Sequence, residues 1–524
     1  MKLRTIVKIA ITSSVVLLCS GFALYSFFRL SAAEGQKDFN LYELVPSTTS
    51  AVFVTDDVLE FVAEVDELTC SKNQQYLYVS KLFSYLKQSL YALSEDTPHG
   101  LSRQMNQMLI SFHEPDNERN QVLYCRLGNG DKELVNRFVR KYISSLYPPK
   151  TFIYKGEEII IYPMADGDFL ACYLTSDFMA LSFQKKLIEN VIDAYKSGKS
   201  LADDSTFTGI RAPKKSAAAA TIYTRMQGMI GWTEFDMKMK DDFIYFSGIT
   251  HDADTCFAFI NQLRQQQSVE GFPGEVLPST AFYFSRQGIT DWVSLLSYGN
   301  AQGQSVPART SEVQNRDKEF SRYLMENAGQ DLVACLFQRE DTLQGAAAVL
   351  SLSVADVTEA ERMLRALVNA ASADEGRRNP RITFCYTVNK AYLVYRLPQT
   401  TLFEQLTSFA EPTLDVYAAF YGGRLLLAPG ADALAHYIRQ LDKGEVLNGA
   451  MAYQTGMDHL SDSYHFMLMA DFDHIFQQSE NHVRFVPDFF LRNADFFRHF
   501  TLFVQFACAD GMVYPNIVLK YKSE

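Results

Sequence analysis

Residues 172–207 read CYLTSDFMALSFQKKLIENVIDAYKSGKSLADDSTF. Apolar and aromatic residues on either side of Ser176-Asp177 form the pattern of two short strands joined by a tight turn. Leu187, Ile188, Val191, Ile192 and Tyr195 then recur at helical spacing, and Gly198 falls where a left-handed C-terminal cap belongs. The same plan returns over residues 418–453. There Gly422-Gly423 takes the turn, Leu434, Tyr437, Ile438 and Leu441 form the stripe, and Gly444 follows. Both turns are expected to use positive φ. The chain thus reads as two copies of one strand–turn–strand–helix unit.

Working outward, the repeat extends over most of the chain. Val45-Pro46-Ser47-Thr48 precedes a strand at 51–55, and Leu277-Pro278-Ser279-Thr280 precedes one at 281–285, at an offset of 232 residues. Thr151-Phe152-Ile153-Tyr154 and Thr383-Phe384-Cys385-Tyr386 keep that offset. It becomes 246 between the turns Ser176-Asp177 and Gly422-Gly423, and 269 between the closing turns Asp241-Asp242 and Asp510-Gly511. The two steps place insertions in the second copy near 397–412 and 479–500. Strands and helices do not alternate strictly, which excludes a doubly wound parallel sheet. The expected fold class is α+β: two similar tandem domains, 45–270 and 271–524, with antiparallel or mixed sheets and flanking helices, preceded by one transmembrane helix.

That helix is expected from the N-terminus. Lys2, Arg4 and Lys8 precede an uncharged run of 20 residues from Ile9 to Phe28. At about 1.5 Å per residue the run reaches roughly 30 Å, the hydrocarbon thickness of a bilayer. Residues 1–30 read as a cytoplasmic stub and transmembrane signal anchor, and 31–44 as a linker. Basic residues hold the N-terminus in the cytoplasm, so the body is expected to be exported. The rival reading is a cleaved signal peptide, with Ser31-Ala32-Ala33 as the cut site.

The whole chain carries a net charge of -12, and residues 1–30 contain four bases and no acid, so the body is more acidic still. An acidic body repels phosphate backbones, which argues against a nucleic-acid partner. Eight cysteines show no CxxC spacing; Cys19 lies in the apolar run, leaving an odd number in the body. No disulfide framework is expected.

Motifs for chemistry are sparse. Six of nine histidines fall between His436 and His499, and Asp471 and Asp473 lie beside His474, but no HxH or HExxH spacing supports a metal. Asp56-Asp57 and Asp203-Asp204 suit helix caps. No GxSxG elbow, reactive-cysteine surround or phosphate loop occurs. No catalytic residue, cofactor or metal ligand is therefore assigned. One segment stands out: the insertion near 479–500 carries Phe485, Phe489, Phe490, Arg492, Phe496 and Phe497. Its rings either form a partner surface rimmed by arginine or close the second copy's core.

An anchor, the openings Val45-Pro46-Ser47-Thr48 and Leu277-Pro278-Ser279-Thr280, and the runs Ala180-Leu181-Ser182 with Gly198, Leu201 and Phe207, and Gly444 with Leu447 and Tyr453, complete the pattern. In these the chain resembles a family of uncharacterised membrane-anchored bacterial envelope proteins with a duplicated α+β body. The resemblance implies a Gram-negative envelope location and no assigned activity. The expected function is a non-catalytic, membrane-anchored periplasmic binding or scaffold protein with an envelope protein partner or a ligand. The alternatives are an envelope hydrolase and a carrier of lipid or another apolar ligand. Ligand, partner and oligomeric state are left open by the sequence.

Overall fold

The computed structural model describes residues 39–72, 105–113, 119–128, 131–138, 147–164, 167–211, 218–225, 231–250, 258–296, 310–339, 345–374, 382–388, 390–407, 414–477, 486 and 488–522. The expected anchor at 9–28 lies outside them. Among the described residues no helix is long and apolar enough to cross a membrane.

The first half contributes ten strands: β1 (Ala51–Thr55), β2 (Met108–Phe112), β3 (Gln121–Arg126), β4 (Lys150–Tyr154), β5 (Glu157–Pro163), β6 (Phe169–Leu174), β7 (Phe178–Ser182), β8 (Ala220–Thr224), β9 (Thr233–Lys240) and β10 (Phe243–Thr250). All pairings are antiparallel, and the spatial order is β4-β5-β6-β7-β3-β2-β1-β8-β9-β10. After the short β11 (Val269–Glu270) come β12 (Ala281–Gly288), β13 (Ala328–Gln338), β14 (Ala346–Val354), β15 (Ile382–Tyr386), β16 (Ala391–Arg396), β17 (Tyr417–Tyr421) and β18 (Arg424–Ala428). The short β19 (Ser463–Tyr464), which pairs with β11, precedes β20 (Phe466–Asp471), β21 (Phe500–Ala509) and β22 (Met512–Tyr521). Their order is β15-β16-β17-β18-β14-β13-β12-β20-β21-β22. Strand for strand, the second half repeats the first.

The expected fold class needs correction here. There are not two α+β domains with separate sheets. The closing strands β10 and β22 pair antiparallel, and the halves fuse into one predominantly β, 20-stranded antiparallel sheet. Ser247 faces Asn516, its own counterpart at the offset of 269, and Ile244–Leu519 is mirrored by Thr250–Val513. A pseudo-twofold axis therefore passes between Ser247 and Asn516. The physical reason for the fusion is that a long open edge invites pairing, and each closing strand covers the other's. Each outer edge, β4 and β15, is only five residues long, although Phe152, Ile153, Phe384 and Tyr386 on them are exposed.

Strand side chains alternate between two faces. Phe53 enters one core and Val52 the other. One core runs continuously across both halves, from Phe53 and Phe61 through Ile244 to Phe282 and Tyr521. Helices Val58–Glu67, Ser311–Asn327 and Val357–Asp374 cover that face. On the opposite face each half keeps its own core. Helix Lys185–Ser197 buries Leu187, Ile188, Val191 and Ile192 in the first, and helix Ala431–Asp442 buries Leu434, Tyr437 and Ile438 in the second. Each fully buried aliphatic side chain contributes about 1.5–3 kcal/mol, so these stripes, rather than any polar contact, hold the helices to the sheet.

The helix-ending glycines take the left-handed region, Gly198 at φ 62° and Gly444 at φ 77°. At the two turns the expectation holds once. Gly422 and Gly423 have φ of 56° and 79°, but Ser176-Asp177 stays out of positive φ. There the Thr175 hydroxyl accepts from the backbone amides of Asp177 and Phe178 and shapes the turn without it. The two opening motifs also share a task. Pro46 bridges Ser200 and Pro278 bridges Val446, while Leu201 N–H donates to Val45 O and Leu447 N–H to Leu277 O. Each opening is thereby tied to the segment after its helix.

The described residues of the second insertion include two short helices, Asp488–Arg492 and Ala494–Phe497. The insertion near 397–412 contains Leu402, Phe403 and Leu406, all buried. The six described cysteines are free thiols.

Candidate functional site

The residues singled out near 479–500 sit as follows. Phe485 lies outside the described residues, and Phe489 and Arg492 belong to the helix Asp488–Arg492. Phe497 is buried, and Phe490 and Phe496 pack against the continuous core. The Phe490 ring stacks on Phe472 at 5.0 Å and meets Phe497 edge-on at 4.8 Å.

A pocket of about 190 Å³ opens nearby, where β12 begins, β20 ends and β21 begins. The opening motif supplies Ser279 and Thr280, and the segment after the helix supplies Leu447, Ala450 and Tyr453. Asp471, His474, Thr501 and Lys522 bring polar groups, while Phe282, Met469 and Phe503 bring apolar walls. Gly456 allows Phe503 its place, since a Cβ there would collide with the ring.

Asp471 organises the polar wall. As the N-cap of helix Phe472–Phe476, its Oδ1 accepts from the Asp473 amide at 3.0 Å. The same oxygen accepts from Lys522 Nζ at 2.7 Å, and Oδ2 lies 3.5 Å from His474 Nδ1. Burial pushes the Asp471 carboxyl up, but His474 and Lys522 outweigh it and the net shift is downward. Its carboxylate in turn raises His474, whose ring stacks on Phe282 at 5.9 Å. The sequence brought Asp471 and His474 together; Lys522, Thr501 and Ala450 carried no motif.

The matching position in the first half is filled. Thr224 pairs with Ala51 and Thr233, as Ala470 pairs with Tyr283 and Leu502, so Arg225 corresponds to Asp471 and Trp232 to Thr501. Arg225 Nε donates to Thr49 O at 3.1 Å, and Nη2 donates to Ser47 O. Nη1 lies 3.7 Å from Asp204 Oδ2, and the guanidinium covers the Trp232 ring at 4.6 Å. In the second half Ala450 stands where Asp204 does. Three changes, Arg225 to Asp471, Asp204 to Ala450 and Trp232 to Thr501, exchange a plugged position for a pocket.

A larger hollow of about 630 Å³ lies beside the closing hairpin and is lined by Asn261, Arg264, Gln265, His465, Cys508 and Asp510. It offers no activated nucleophile. Burial pushes the Cys508 thiol up to about 11, and the nearby His465 accepts from the Cys508 backbone amide rather than serving the sulfur. Among the described residues no group of three His, Cys, Asp or Glu is placed to hold a metal ion.

No family model matches the chain, and no curated protein or solved structure matches it. The likeness to envelope proteins rests on the residues quoted for it alone.

Proposed function

We propose that this chain is a non-catalytic binding or scaffold protein of the cell envelope, anchored in the inner membrane through residues 9–28 with its body in the periplasm, and that the pocket around Asp471 is its ligand site. One observation carries the binding reading: the same position is sealed by Arg225 in the first half and left open in the second. A plug made of three cooperating side chains shows that the scaffold has a ready way to close this position. The second half has none of the three. Convergent polar groups within apolar walls are the usual composition of a small-ligand site. The envelope location is supported by Lys2, Arg4 and Lys8 ahead of the uncharged run.

The test rebuilds the plug. A small-molecule screen by thermal shift, run on the full chain in detergent, is expected to yield ligands that stabilise it. The triple variant Ala450→Asp, Asp471→Arg, Thr501→Trp is expected to fold and to lose them. Ligands that stabilise both proteins equally would refute the site. For the anchor, membrane association that survives alkaline carbonate is expected, and release of the intact chain by carbonate would refute it.

A further inference from the structure

The two outer edges of the fused sheet are open in unequal ways. Among the described residues β4 pairs with β5 alone and β15 with β16 alone, so one side of each keeps strand backbone groups without a neighbouring strand. β4 carries Lys150 within its span and Lys155 at its turn, and lysine on an edge deters further pairing. From Ile382 to Val388 the other edge holds no charge. Its large apolar side chains lie open: Phe384 is 54% exposed, Tyr386 68% and Val388 92%.

We infer that β15 is a dimerisation edge, and that it pairs antiparallel with β15 of a second copy about a twofold axis through Phe384. The module already joins to its own counterpart in this way at its opposite edge, where β10 and β22 pair antiparallel about the pseudo-twofold axis. The sequence of β15 is also complementary to itself. Centred on Phe384, the pairing sets Phe384 opposite its mate, Ile382 opposite Tyr386 and Thr383 opposite Cys385, with no charge facing a like charge. Ile382 packs against the continuous core and Cys385 lies in the core on the other face. Phe384 and Tyr386 alternate with Cys385 and so share the face of Ile382. Their rings, 6.1 Å apart within one copy, meet those of the second copy as cross-strand pairs on that face. The same operation on β4, centred on Phe152, sets Lys150 against Tyr154. A β15–β15 contact closes on itself as a dimer, whereas β15 against β4 would propagate into a filament. Five residues a side make a small interface, so the dimer is expected to form reversibly and to depend on concentration.

Disulfide trapping on the full chain in detergent tests the axis directly. Residues facing each other across an antiparallel pair have Cα atoms about 4.5–5.5 Å apart, within the reach of a disulfide. Under mild oxidation Phe384→Cys is expected to give a covalent dimer that wild type and Ile153→Cys, on β4, do not. Sedimentation of wild type is expected to show a monomer–dimer equilibrium. Phe384→Lys, which gives β15 the kind of charge β4 carries, is expected to weaken that equilibrium at least tenfold, with circular dichroism unchanged. Equal trapping by Ile153→Cys, assemblies that grow past the dimer, or a Phe384→Cys adduct with a different polypeptide in cell membranes would each overturn the inference. A wild-type chain that stays monomeric at every concentration, with no trapping at Phe384→Cys, would overturn it as well.

Discussion

The two halves share ten strands in one order yet bury charge in different places. The second half holds Asp331 between Arg286, 3.1 Å away, and Arg424, 3.2 Å away. Burial pushes the Asp331 carboxyl up, but Arg424, Ser353 and Arg286 outweigh it and hold it below the usual range. Arg424 Nε also donates to Ser351 Oγ at 2.6 Å, and Arg286 Nη1 to Gly271 O at 2.8 Å. By strand register the first half has Val54, Gln107 and Phe178 at these positions. Phe178 is buried there among Phe39, Tyr173 and Tyr195. Conversely, the first half buries Arg225 where the second has a pocket. The apolar stripes common to both halves carry the fold, so individual polar positions diverged without disturbing strand order.

Breaking the buried cluster should have the largest effect. Asp331→Ala leaves two arginines without their acid and is expected to cost about 3–5 kcal/mol, read from urea denaturation. Gln107→Ala at the matching place should cost about 1 kcal/mol or less. Equal losses would mean that the halves do not differ in the way described. Next comes the plug. Arg225→Met forfeits two carbonyl bonds and the approach to Asp204, for an expected loss of about 2–3 kcal/mol. Asp471→Asn, at the same position in the second half, should lose about 1 kcal/mol. A smaller effect concerns acid. Burial holds His113 down to about 4, against an ordinary 6.5. The unfolded chain therefore takes up its proton first as pH falls. The stability due to neutral His113 is complete above about 6.5 and is lost as pH drops to about 4, an erosion of about 3 kcal/mol. The second half has Phe337 at this register position. His113→Phe should remove that part of the acid sensitivity, seen by comparing urea midpoints at pH 7 and pH 4.5.

Much of the repeat was legible because its signals are local. Gly198 and Gly444 mark helix ends, and the openings at Pro46 and Pro278 recur at a fixed offset. The helical stripe Leu187, Ile188, Val191 and Ile192 announces its own burial, although Tyr195 beyond it is exposed. The fusion of the sheets was not legible. Phe243–Thr250 reads as an aromatic-rich strand, and nothing in it names Met512–Tyr521 as its neighbour. Ser176-Asp177 misled because the turn's geometry is set by Thr175, one residue earlier. The pocket was illegible for a different reason. Asp471 and His474 are close in sequence, but Lys522 and Thr501 join them only through strand register. That the position is open at all appears only when Arg225 is laid against Asp471.

The junction between β10 and β22 also bears on how the chain is made. Phe243 pairs with Lys520, so the first half's closing strand meets its neighbour only after the second half has been made. Until then the nascent chain displays Phe243, Tyr245 and Phe246 along an uncapped border, the kind of surface on which partly made proteins aggregate. Production of this protein should thus be more sensitive to loss of Met512–Tyr521 than to loss of any ten residues on an outer loop.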